Sequence, residues 1–266
     1  MNLLGHFVCA QNLPATVQAG SALGDLLPLY RRRVRPLALA EHWAAAQGAR
    51  ADLGAVERGV RTHLLVDSHF HRDPLFTRLS DGLQRSLREA SGTPGLKRFL
   101  PAHILSEMYL DYLLIERDKT ALPAFYELFD ERIRLLLAEF VSAHPESGAE
   151  SFHAFLASFM SDRFLDGYRS LDGVLDRMQR MLARFGQRSM EPVEIQAVHR
   201  VFASERVFAE EALLQFVASM RHAVRGLCPG MDSGGAPRSW ERGEEKLAAQ
   251  GRVLRAPLAG GFPGGV

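Results

Sequence analysis

Cysteine is almost absent: the chain holds two, Cys9 and Cys228, near opposite ends. They have no zinc-ligand spacing and make no disulfide framework, which predicts a reducing compartment. An excess of one charge is missing too. With 32 basic and 31 acidic residues, the formal net charge is +1. No global field draws the chain to nucleic acid, so any electrostatic preference for a partner must be local. No stretch reaches the ~18 consecutive apolar residues that a membrane-spanning helix needs. The opening "MNLLGHFVCA" is apolar but lacks the basic flank of a secretory signal. Strand signals are scarce. Together these absences predict a cytoplasmic, largely helical protein with no nucleic-acid or membrane partner.

What the chain does have is helical spacing. Hydrophobic residues make up 47% of the 266 positions, ample for a core. Apolar positions recur at helical intervals over 15–30, 36–47, 54–71, 101–117, 122–142, 150–168, 170–185 and 191–224. Pro36, Pro101 and Pro192 stand near starts of these segments, where a missing N–H costs nothing. Pro74 is read as the stop after 54–71. The expected architecture is all-α, one helical domain over residues 1–225. From residue 226 the chain turns rich in Gly and Pro and cannot bury enough surface to offset ordering. Residues 226–266 therefore read as a disordered tail, with room for a short helix at 239–250.

The segment "HLLVDSHFHRDP" (63–74) raises the question of chemistry. On a helix, His63, Asp67 and His71 fall within a sector of about 80°, which they share with apolar residues such as Val60. His69 and Asp73 point elsewhere, toward water. An ionised Asp on an apolar face is expensive unless it is paired or coordinated. A His–Asp ion pair at a helix surface is the plain alternative to a pair of metal ligands. The stretch "ILSEMYLDYLLIE" repeats the pattern with Glu107 and Asp111. Like charges at that spacing repel, so an inward pair needs a cation, a proton or a donor such as Tyr112. His6 sits in the apolar run "LLGHFV", and Asp25 interrupts "SALGDLLPLY". Alone each is weak; together they complete a mixed imidazole and carboxylate set.

These segments resemble the acyl-carrier-protein phosphodiesterases, helical enzymes distantly related to the HD-domain metallophosphohydrolases. "MNLLGH" is similar to the family's opening. "AGSALGDL" is similar to its Gly-Asn-x-x-x-Asp, with Asp25 at the acidic place. "GVRTHLLVDSHFHRDP" resembles its His- and Asp-bearing helix at Gly59, His63, Asp67 and Pro74. "SEMYLDYLL" matches at Asp111 and Leu114, and "FLDGYRSLDGVLDRMQRMLARF" at Leu165, Tyr168 and Arg184. The order holds over roughly residues 1–220. The chain departs from the pattern at Ser21 (family Asn), Leu64 (Arg), His71 (Asp), Glu107 (Asp) and Tyr112 (His).

The resemblance implies an HD-domain-like metallophosphohydrolase bundle that removes 4′-phosphopantetheine from holo acyl carrier protein. His6, Asp25, His63, Asp67 and Asp111 are the expected metal ligands or their immediate partners, with His71 or Glu107 orienting a water or completing the shell. Such a ligand set suits Mn²⁺, and Fe²⁺ or Zn²⁺ next, better than Mg²⁺. Arg31, Arg32 and Arg33 would dock the acidic carrier protein, unless "RRRVR" is only a solvated connector. Two rival readings stand beside this one: a metal-dependent phosphohydrolase on another phosphodiester or a nucleotide, and a non-catalytic helical relative with a binding role.

Overall fold

Local sequence accounts for where the helices begin and end. The computed structural model describes residues 2–31, 33–45, 51–91, 99–144, 147–184 and 186–227. Within them lie eleven α-helices and one 3-10 helix, and no strand. Helix α1 (Leu3–Ala10) is capped by Asn2, whose side chain accepts from the Leu3 N–H. Helices α2 (Ala15–Tyr30), α3 (Pro36–Ala45) and α4 (Ala51–Phe70) follow. Next come α5 (Pro74–Ser91) and α6 (Phe99–Arg117). The short α7 (Ala121–Leu128) and α8 (Glu131–Val141) precede α9 (Ala149–Asp162). The 3-10 helix (Phe164–Arg169), α10 (Leu171–Arg184) and the long α11 (Pro192–Leu227) complete the set.

All-α architecture is as expected, and several local details differ. Pro74 does not end a helical region; it is the first residue of α5, with Asp73 accepting from the Leu75 N–H as its cap. Helix α5 was not anticipated, although Leu75, Leu79, Leu83 and Leu87 are buried along one stripe. The stretch 122–142 is two helices, because Asp130 caps α8 by accepting from the Ile133 N–H. The stretch 150–168 also breaks, at Arg163, which adopts the left-handed conformation (φ 45°). Helix α11 runs to Leu227, slightly past the start of the segment read as a tail. The rest of that segment, with the helix expected at 239–250, lies outside the described residues.

One connected core joins buried residues from all eleven helices. Helix α6 is buried around most of its circumference from Leu105 to Ile115, so it lies at the centre. Helix α11 is pinned where it starts: buried Glu194 reaches back to the Glu191 N–H at 2.8 Å and takes two hydrogen bonds from Arg188. Among the described residues no helix is long and apolar enough to cross a membrane.

Candidate metal centre

Three glycines decide how close α2 and α4 come. A Cβ on Gly59 would lie 2.3 Å from the Val17 carbonyl oxygen, and one on Gly20 would lie 2.4 Å from that of Val56. Any side chain there would push backbone off backbone. One turn further along α2, a Cβ on Gly24 would lie 2.0 Å from His63 Nε2. The missing side chain is the space in which the imidazole sits.

His63 is buried, and its Nδ1 lies 3.0 Å from the Ser21 carbonyl oxygen. A carbonyl only accepts, so Nδ1 carries the proton and Nε2 the lone pair. Ser21 thus contributes through its backbone; its hydroxyl donates to the Gln18 carbonyl. His6, fully buried on α1, stacks on His63 with ring centroids 3.9 Å apart. His6 Nε2 lies 3.5 Å from Asp67 Oδ1 and 3.9 Å from Asp25 Oδ2. Neither nitrogen of His6, nor Asp25 Oδ2, has a hydrogen-bond partner among the described residues.

Burial sets most of the protonation states. It lowers the pKa of His6 and, further, of His63, whose neighbour His6 acts in the same direction. Burial pushes Asp25 well above the usual carboxylate range. Asp67 is the exception: burial works to raise it, but the adjacent His6 holds it below that range, ionised. Burial thus disfavours charge on both imidazoles and on Asp25, while Asp67 keeps its negative charge.

Asp111, expected as a ligand or the immediate partner of one, is tied to the backbone of α1. Its two oxygens accept from the backbone N–H groups of Leu4 (3.2 Å) and Gly5 (2.9 Å) in the first turn of α1. Burial raises its pKa to about 7 against the pull of these two bonds. The donor that an inward Glu107/Asp111 pair required is therefore backbone, not Tyr112, whose hydroxyl faces Arg206. Asp111 anchors α1 and so positions His6, but stands outside the His6–His63–Asp67 group.

A second group adjoins the first. His71 Nε2 and His103 Nε2 each lie 3.3 Å from Glu107 Oε1, and the rings of His71 and His103 stack at 5.0 Å. Asp67 links the groups, with Oδ1 toward His6 and Oδ2 3.8 Å from His71 Nδ1. His103 escaped the reading of the sequence, yet it stands four residues before Glu107, the same spacing that singled out His63 and Asp67. His69 and Asp73 remain apart: His69 Nδ1 bonds the Leu65 carbonyl, and Asp73 caps α5. Arg31 and Arg33 are exposed beyond the end of α2, six and eight residues after Asp25, and Arg32 lies outside the described residues.

Fold and geometry define a class first: an all-helical protein with a buried imidazole–carboxylate pocket at the meeting of four helices. The family model for acyl carrier protein phosphodiesterase matches residues 1–220, and the chain belongs to that family. Neither curated proteins nor solved structures gave a match.

Proposed function

We propose that the chain is a metal-dependent phosphodiesterase that hydrolyses the bond between 4′-phosphopantetheine and its acyl carrier protein. The observation that carries the reading is the set of unpartnered buried atoms at the pocket's centre, the His6 nitrogens and Asp25 Oδ2. Buried polar atoms without partners are costly and few in native proteins. These belong to good donors for a divalent cation of the Mn²⁺, Fe²⁺ or Zn²⁺ type, so the residues fit the ion that the family implies. His6, Asp25, His63 and Asp67 would hold it. A bound cation of this kind lowers the pKa of a coordinated water and polarises a phosphoryl oxygen.

The chain's own residues set up the rest. Ser21 fixes the tautomer of His63 by accepting from Nδ1. Asp111 fixes His6 by holding the first turn of α1. His71 and Glu107 border the pocket on the Asp67 side and orient the attacking water. Arg31 and Arg33 begin about 9 Å along the helix axis from Asp25, near enough for a carrier protein on that surface to reach the pocket with its arm. An acidic carrier would be steered there by charge.

Turnover of holo acyl carrier protein, compared with that of a small synthetic phosphodiester, tests the reading. The expected result is a kcat/KM for the carrier protein at least about 100-fold higher, falling steeply with added salt. Replacing Arg31 and Arg33 with Ala should raise KM and flatten that salt dependence. Equal use of both diesters would favour a general phosphohydrolase, and no turnover of either would favour a binding role.

A further inference from the structure

We propose that His71, His103 and Glu107 form a second divalent-cation site, joined to the first through Asp67. It deepens the phosphodiesterase reading, on which the role of His71 and Glu107 toward the water rests, while the cation stoichiometry can be measured apart from turnover.

Geometry carries the argument. His71 Nε2 and His103 Nε2 converge on one oxygen, Glu107 Oε1, each at 3.3 Å. That is long for a charge-assisted hydrogen bond, which closes to about 2.7–2.9 Å. It is the separation expected of ligands: donor atoms each about 2.1 Å from one ion and tetrahedrally arranged lie about 3.4 Å apart. Two imidazoles and a carboxylate are a common donor set for a cation with one open position. The side chains of His71, His103 and Glu107 are 33%, 25% and 17% exposed, so the group is walled on one side and open to solvent on the other.

Phe76 forms the wall. Its ring meets His71 and His103 edge-on at 5.0 and 4.8 Å, fixing both imidazoles side by side. The other nitrogen of His71, Nδ1, turns toward Asp67 Oδ2. A carboxylate behind a ligating imidazole orients the ring and raises its basicity. Asp67 would serve the first site through Oδ1 and support the second through Oδ2, coupling their affinities. His71 and Glu107 would then act on the attacking water by holding a cation beside it.

The test is cation stoichiometry of the full-length chain, stripped with a chelator, reloaded with Zn²⁺ and, separately, Mn²⁺, and measured by elemental analysis. Wild type should bind two ions, and His103→Gln and Glu107→Gln one each, with affinity for the second ion reduced more than about 100-fold. Circular dichroism confirms the fold, and the paired variants keep a defect in either from deciding the outcome. Should wild type bind a single ion that His103→Gln retains and His63→Gln loses, the second site would be overturned and the first left standing. Should that single ion instead be lost by His103→Gln and retained by His63→Gln, the second site would be upheld and the first overturned. Two ions in His103→Gln, or none in wild type, would overturn the proposal.

Discussion

At Gly24, a hydrogen atom stands where any other residue would place carbon, 2.0 Å from His63 Nε2. Gly24→Ala should displace the imidazole and break its bond to Ser21. Cation affinity and turnover are then expected to fall at least about tenfold while the helical content holds; titration calorimetry and circular dichroism check this. Asp111 gives a prediction of opposite character, in stability and not in chemistry. Its carboxyl titrates near 3.8 when unstructured and is raised to about 7 by burial. Because the folded pKa is raised, its contribution is fully present below about 3.8 and is lost as pH rises through about 7. In urea unfolding between pH 4 and 8, wild type should lose stability relative to Asp111→Asn as pH increases. A constant difference would contradict the assignment. Individual side chains were only partly legible beforehand. The spacing of His63 and Asp67 placed them on one inward face, because helical periodicity is a local rule. That Asp111 holds amides of α1 depends on residues more than a hundred positions away, and no local rule reaches so far.

At the scale of elements, the crossing of α2 and α4 decides whether the pocket exists. Gly59→Ala would bring a methyl group against the Val17 carbonyl and the Gly20 backbone. We expect a loss of about 1–3 kcal/mol in urea unfolding, with weaker cation binding as the helices separate. An unchanged midpoint would mean that the crossing has slack. Most helices were visible as apolar stripes; two were not. Helix α1 is buried on every side, so it shows no amphipathic period. Helix α5 has a plain stripe, but Pro74 reads equally as a stop or a first turn, and only Asp73 as a cap separates the two. His103 went unnoticed for a related reason. Asp111, which carries the repeated acidic spacing, stands one turn forward along α6, whereas the partner of Glu107 stands one turn back.

At the scale of the molecule, the eleven helices among the described residues share one core, and four of them meet at a polar pocket. Apolar context and the family resemblance predicted that His6, Asp25, His63 and Asp67 gather; their distances came from packing. Family membership and the buried atoms of His6 and Asp25 that lack hydrogen bonds together support the proposed reading of a cation-dependent phosphodiesterase. The most direct measurement follows release of 4′-phosphopantetheine from holo acyl carrier protein by the chelator-stripped chain, before and after Mn²⁺ is restored, in wild type and in His63→Gln. The account predicts activity that vanishes on stripping, returns with the ion in wild type, and stays more than about 100-fold lower in His63→Gln under both conditions. Full turnover by the stripped wild-type chain, or by His63→Gln, would contradict it.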